Sequence, residues 1–299
     1  MDKLKIIAVI LNYKGLEDTL ECLDSLRRCS QDNLKTEFIV VDNNSDDGSV
    51  EALLKLEDVN LIENQKNLGF AGGINVGIEA ALKKETDFIL ILNNDTIVDR
   101  FLIKNLLNSS QYGGIISPKI YFAPGFEFHK LRYTKSESGK VIWYAGGRID
   151  WQNIIGKHIG VDDVDHGQFS KRLEIDLATG ACMLIKRQVF EKIGFFDKKY
   201  FLYLEDMDFC VRAKRAGFKI IFEPKAFLWH KNASSAGGSG SVTQDYFITR
   251  NRLLFAFKYA KLRTKLAVFR QNLSQINIPV KRKALIDFVT FNFGKGSFL

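Results

Sequence analysis

The run Phe88-Ile89-Leu90-Ile91-Leu92 contains no polar side chain and stops on Asn93-Asn94-Asp95. A strand that is apolar at every position is buried on both faces, so it belongs to the interior of a sheet covered by helices on each side. Open α/β sheets bind ligands just beyond the carboxyl ends of such strands. Asp95 therefore stands where chemistry is expected. An Asx turn in which Asp95 merely caps the next element is the local alternative, and the segment by itself does not exclude it.

The flanking sequence supports the sheet. Ile6–Leu11, Glu37–Val41, Asn60–Glu63, Asp87–Leu92 and Gly114–Ser117 read as strands, and Glu17–Arg28, Gly48–Lys55, Gly73–Lys83 and Phe101–Ser109 carry helical periodicity. This βα alternation predicts an α/β fold with a mainly parallel, Rossmann-like sheet. From 118 to 176 the pattern gives way to Gly- and aromatic-rich sequence, including Trp143-Tyr144-Ala145-Gly146-Gly147, of the kind that forms functional loops or lids. Regularity returns with a strand at Ala181–Lys186, helices at Gln188–Ile193 and Glu205–Ala216, and two strands near Lys219–Phe222 and Ala226–Trp229. Helical sequence resumes near Asp245. The chain divides at 1–117, 118–240 and 241–299, as two halves of one α/β domain and a helical extension.

With 299 residues, 46% of them hydrophobic, the chain can bury a sizeable core. No apolar run approaches the roughly 20 residues of a spanning helix, and the first residues do not resemble a secretory leader. A cytoplasmic protein is expected, soluble or peripheral at the inner face of the membrane. Cys22, Cys29, Cys182 and Cys210 form no CxxC pair and are expected to be reduced core residues. The formal charge of +8 is unevenly spread: 250–299 holds eleven Lys and Arg against the single acid Asp287, giving +10 there and −2 before it. With Phe255, Phe257, Tyr259, Leu262, Leu266 and Phe269 interleaved at helical spacing, an anionic membrane surface suits this segment better than nucleic acid. An ordinary cationic helix packed on the body is the competing reading.

Polar clusters follow successive strands. Asn12-Tyr13-Lys14 follows the first, Asp42-Asn43-Asn44-Ser45-Asp46-Asp47 the second and Asn93-Asn94-Asp95 the fourth. Such an edge suits a nucleotide, with Tyr13 against a base and Asp42 accepting from its imide N–H or from ribose hydroxyls. A calcium loop at 42–53 is excluded, because Asp47 stands where Gly is required and Leu53 where Glu is required. The Gly-rich stretch from Asn67 to Gly77 offers backbone amides to an anion at a helix start, but matches neither GxGxxG nor a P-loop. Downstream, Glu205, Asp206 and Asp208 crowd a helix start, a cap-like arrangement that also suits a general base opposite His230 as a metal ligand. His129, His158 and His166 read as surface residues.

In order, Val9-Ile10-Leu11-Asn12-Tyr13, Val41-Asp42-Asn43-Asn44-Ser45, Asn67-Leu68-Gly69-Phe70-Ala71, Leu92-Asn93-Asn94-Asp95, Thr179-Gly180-Ala181, Leu204-Glu205-Asp206-Met207-Asp208 and Arg250-Asn251-Arg252 make the chain resemble the family 2 glycosyltransferases of the GT-A fold, and within them the bacterial rhamnosyltransferase-like branch, from Ile6 to Leu254. The resemblance implies inverting transfer of a sugar, rhamnose favoured, from a dTDP- or UDP-linked donor to a saccharide hydroxyl of a cell-surface polysaccharide or its lipid-linked precursor. Asp206 matches the base. Asp95 and His230 become ligands of Mn²⁺ or Mg²⁺, with Asn93 replacing the first acid of the family's Asp-x-Asp motif. Asn12, Tyr13, Asp42, Asn44, Asn67, Gly69, Phe70, Asn94 and Arg250 are expected on the donor, and Gly180, Ala181 and Glu205 on the acceptor. The alternatives are a non-catalytic nucleotide-sugar-binding scaffold, which the loss of an acid at Asn93 brings into view, and a nucleotidyltransferase, for which Asn12-Tyr13-Lys14-Gly15 is too short and too poor in Gly.

Overall fold

The computed structural model describes residues 4–29, 34–232 and 240–298. The first half runs β1 (Leu4–Asn12), α1 (Leu16–Arg27), β2 (Leu34–Asp42), α2 (Ser49–Leu53), β3 (Val59–Glu63), α3 (Gly69–Leu82), β4 (Phe88–Asn93), β5 (Thr96–Val98), α4 (Leu102–Asn108) and β6 (Ile115–Phe122). Short strands come next at β7 (Ile142–Tyr144), β8 (Gly147–Asp150), β9 (Ile155–His158) and β10 (Leu173–Glu174). Then come β11 (Cys182–Lys186), α5 (Arg187–Ile193), α6 (Glu205–Arg215), β12 (Ile220–His230), α7 (Val242–Tyr259), α8 (Leu262–Leu273) and α9 (Pro279–Val289).

One ten-stranded sheet spans both halves in the order β10-β12-β6-β11-β4-β1-β2-β3, with β5 on β12 and β7 on β6. The pairs β1–β2, β1–β4, β2–β3 and β6–β12 are parallel, while β11 runs antiparallel between β4 and β6. Ile89 to Leu92 are at most 1% exposed, as an all-apolar central strand requires. The four cysteines are free and buried.

Three elements differ from the sequence expectation. The two strands foreseen near 219–229 are one strand, β12, bulged between Glu223 and Phe227. Pro224 has no N–H to give the ladder, and the buried Glu223 carboxylate instead takes Arg172 Nε at 2.9 Å, Lys225 N at 2.9 Å and the Ser109 hydroxyl. The segment 118–176 carries strands after β6 that are too short for a period to show. Helix α3 begins at Gly69 instead of Gly73, because its glycines face the sheet: a Cβ on Gly77 would press on Val9 and lie 2.9 Å from Val41 Cγ2.

The extension is built into the domain. Leu253, Phe255 and Ala256 of α7 are fully buried in the main core, and Asp208 of α6 is tied to Lys258 and to the Tyr259 hydroxyl (2.7 Å). Phe255 is thus a core residue, and Tyr259 and Phe269 are half-buried, so part of the aromatic pattern assigned to a membrane surface serves packing.

Candidate active site

Strand β5 pairs antiparallel with the end of β12, placing Thr96 opposite His230, and the Lys231 amide donates to the Asp95 carbonyl at 2.9 Å. This brings His230 Nε2 to 3.0 Å from Asp95 Oδ1, with the two residues 3% and 7% exposed. Neither ring nitrogen of His230 makes a hydrogen bond among the described residues. A buried imidazole without hydrogen-bond partners beside a carboxylate fits a divalent ion: neighbouring donors about 2.1 Å from an octahedral ion lie roughly 3 Å apart. No group of three or more His, Cys, Asp or Glu side chains gathers there among the described residues, so an ion at Asp95 and His230 would take its further ligands from substrate and water. The ring of Trp143, tethered through Nε1 to Asn232 Oδ1 at 3.2 Å, packs edge-on to His230 with centroids 4.6 Å apart. It packs at the same distance on His158. His158 is accordingly no surface residue; burial pushes its pKa down to about 4.

The donor edge is held by amides. Asn12 Nδ2 donates to Asp42 Oδ2 at 2.7 Å, the Ser45 amide to Asp42 Oδ1 at 2.8 Å, and the Thr19 hydroxyl to Asn12 Oδ1 at 2.8 Å. Asn94 Nδ2 reaches Thr19 Oγ1 at 3.0 Å. Asn12 and Asp42 are fully buried, so they shape the β1 and β2 ends from beneath. Of the residues expected on the donor along this edge, Asn44 is exposed, in a left-handed conformation with φ 66°, and Tyr13, Asn67 and Asn94 are half-buried. Asn43 was missed by sequence reasoning although it lies inside a noted motif. Its Oδ1 accepts from Asn64 Nδ2 (3.1 Å) and the Leu68 amide (3.0 Å), and its Nδ2 donates to Asn67 Oδ1 (3.0 Å), pinning 64–69 against β2. Asn67 Oδ1 also takes the Gly69 amide at 2.8 Å, and the Ala71 amide donates to the Phe201 carbonyl, so these first amides of α3 are not open to an anion.

The acidic helix start meets the end of β4 through one short turn. Asn93 N donates to Ala181 O at 3.0 Å, and the adjacent Gly180 N donates to Asp206 Oδ2 at 3.1 Å. Met207 N donates to Asp206 Oδ1 at 2.7 Å. Half-buried Phe70 closes on Gly180, where a Cβ would lie 3.1 Å from the ring. Burial raises the Asp206 pKa against these two amide bonds, which lower it. Glu205 is pushed well above its ordinary value by burial and by the Asp206 charge, and its Oε2 has no hydrogen-bond partner among the described residues. Both carboxyls thus lie above the ordinary carboxylate range, Glu205 further than Asp206, which is held by amide donors.

Arg250, expected on the donor, is held by backbone carbonyls. It is fully buried, and its guanidinium donates to the carbonyls of Gly294 (2.7 Å), Lys199 (3.1 Å) and Tyr200 (3.0 Å). Helix α7 packs this face inward onto the turn before α6, which helical periodicity alone does not reveal.

A mixed sheet flanked by helices, with polar strand ends facing an acidic helix start, is the architecture of the GT-A glycosyltransferases. GalNAc-T7 with UDP, GalNAc and Mn²⁺ superposes with a TM-score of 0.61 at 15% identity, over 84% of this chain and 51% of that one, about half its length. Residues 5–252 match the glycosyltransferase-like family 2 profile, and the chain belongs to that family. Similar proteins include the low-salt glycan biosynthesis hexosyltransferase Agl10 of Haloferax volcanii, 29% identical over 85% of this chain and 75% of its own. Another is the N-acetylglucosaminyl-diphospho-decaprenol L-rhamnosyltransferase of Mycobacterium tuberculosis, 26% identical over 67% of each.

Gly69 couples the two sides of the site. Its φ is +70°, and a Cβ there would lie 2.6 Å from the Phe201 ring and against the Phe201 carbonyl. Left-handed backbone alone costs a non-glycine residue about 1 kcal/mol, and the clash adds to it. Gly69→Ala is expected to destabilise the protein by roughly 3 kcal/mol in urea unfolding; a change below about 0.5 kcal/mol would show that this junction yields freely.

Proposed function

We propose that the chain is a metal-dependent, inverting glycosyltransferase that moves a sugar from a nucleoside diphosphate to a hydroxyl of a saccharide acceptor. The observation that carries the reading is the 179–181 turn, which hydrogen-bonds on one side to Asn93 of the Asn93-Asn94-Asp95 strand end and on the other to Asp206. Asp95 and His230 would hold Mn²⁺ or Mg²⁺, which when bound supplies Lewis-acid stabilisation to a leaving diphosphate. Tyr13 and Asn44 would meet the nucleoside, on an edge kept in shape by Asn12, Asp42, Asn67 and Asn94. Asp206 accepts the acceptor's hydroxyl proton as that oxygen attacks the anomeric carbon, a role typically worth about 10²–10⁴-fold. Its two amide donors favour the ionised carboxylate and aim it, while Gly180, Ala181 and Glu205 border the acceptor. Rhamnose from dTDP heads the donor panel because a relative is a rhamnosyltransferase acting on a lipid diphosphate, and UDP-linked hexoses come next.

The outer surface of the extension fits the same reading. Leu262, Leu266 and Leu273 share one face of α8 and are 70%, 48% and 43% exposed, among Lys261, Arg263, Lys265 and Arg270. No helix among the described residues is long and apolar enough to cross a membrane. An apolar stripe within a segment of charge +10 suits the interface of an anionic bilayer, where a lipid-linked acceptor resides.

Incubation with a panel of nucleotide sugars, Mn²⁺ and an N-acetylglucosaminyl-diphospho-lipid acceptor should yield a new glycoside. Asp206→Asn is expected to lower transfer by at least 10²-fold with donor binding nearly unchanged, and kcat/KM should rise with pH through a value above the ordinary aspartate pKa of about 3.9. Full turnover in that variant would remove Asp206 as base; donor binding without transfer in the wild type would favour the non-catalytic scaffold. For the surface, Leu262→Ser with Leu266→Ser should abolish co-sedimentation with phosphatidylglycerol vesicles, and unchanged binding would refute the bilayer contact.

A further inference from the structure

The turn that delivers Asp206 is held in a backbone conformation its own residues disfavour. Phe201, Tyr203 and Leu204 have φ of 64°, 67° and 69°, and Leu204 is the residue on which α6 starts. Bulky residues seldom adopt this region, and they persist there only when their surroundings over-determine them. Here the surroundings come from the extension. Asn251 Nδ2 lies 2.8 Å from the carbonyls of Tyr200, Leu202 and Tyr203, its two hydrogens shared among three acceptors. Arg250 takes the carbonyls of Lys199 and Tyr200 and also donates from Nε to Asn251 Oδ1 at 3.1 Å, fixing the orientation of that amide. Phe201 stacks on Phe247 at 5.1 Å, and Gly294 near the chain end closes over the guanidinium through its carbonyl.

We propose that Arg250 and Asn251 are positioning residues, which clamp 199–203 from the carbonyl side so that α6 starts in register with Gly180 and Asp206 faces the acceptor. The pair touches no reacting atom. It acts on turnover through Asp206, so the proposal rests on the base role given above. The donor edge is built by β1, β2, β4 and the 64–69 segment, none of which hydrogen-bonds to the pair; the clamped turn meets that edge through Phe201, whose carbonyl takes the Ala71 amide, so the loss is expected mainly in kcat, with donor affinity little changed.

The test uses full-length Asn251→Ala and Arg250→Lys, with Asp206→Asn as reference. Calorimetry with dTDP and UDP in Mn²⁺ gives affinity and the fraction of competent sites, and turnover is expressed per competent site with the donor the panel selects. Displacement of a catalytic group by about 1 Å costs on the order of 10²-fold, so each clamp variant should lose about that much kcat while its nucleotide Kd stays within about threefold. Adding Leu204→Gly to Asn251→Ala should restore about tenfold, since glycine adopts the required φ without a clamp. A purely structural role would not give that recovery. Turnover within about threefold of wild type, loss of affinity in step with kcat, or failure of both variants to bind nucleotide would each overturn the proposal. Full activity of Asp206→Asn would instead show that the base reading had failed.

Discussion

Asn93 N to Ala181 O and Gly180 N to Asp206 Oδ2 are two hydrogen bonds from one turn, and through them the strand end carrying Asp95 and the helix carrying Asp206 share a reference frame. Antiparallel β11 makes this possible. Inserted beside β4 in the middle of the sheet, with Cys182 opposite Leu92, it brings the 179–181 turn to the strand end where a parallel neighbour would instead present its own polar loop. Because β4 and β11 are buried, small shifts on either side would create voids or clashes, so the spacing of the two carboxylates is as stiff as the core itself.

The donor side shows a different economy. Asn12, Asp42, Asn43, Asn67 and Asn94 hydrogen-bond to one another and to their neighbours, while Asn44 is exposed and Tyr13 half-buried. A network of this kind is closed before a ligand arrives, and the low dielectric around it makes every missing partner expensive. Several residues that a motif marks for the ligand thus also hydrogen-bond within the edge itself. Asn93 stands where the resemblance expects an acid, and the buried His230 imidazole beside Asp95, whose nitrogens make no hydrogen bonds within the described protein, is the group proposed to make up that deficit.

Much of the fold was legible because it is local. The βα alternation through residue 117, the all-apolar β4 and the acidic start of α6 each arise from periodicity or from a run of one residue class. What was not legible depends on contacts distant in sequence. Gly69 and Gly72 at the start of α3 read as a turn because their close approach to Phe201 and Leu68 does not show in the sequence, and a proline-bearing bulge made β12 look like two strands. Arg250 was expected on the donor from the resemblance alone, and its five-donor guanidinium also suits a cluster of backbone carbonyls. His158 read as surface because nothing in its neighbourhood foretells Trp143 packing on it. In the site itself, Asp95, His230 and Asp206 were singled out from strand ends and a helix start, whereas Asn43 and Asn251, whose work is done on backbone atoms, carried no chemical signature of their own.

The arrangement of one metal-holding edge and one basic carboxylate across a shared turn is tested most directly by anomalous scattering from Mn²⁺ in crystals grown with a nucleoside diphosphate. A single strong peak within bonding distance of Asp95 and His230, with the diphosphate on the side facing Asp206, is the predicted result. A peak elsewhere, or a diphosphate bound away from these two residues, would contradict it.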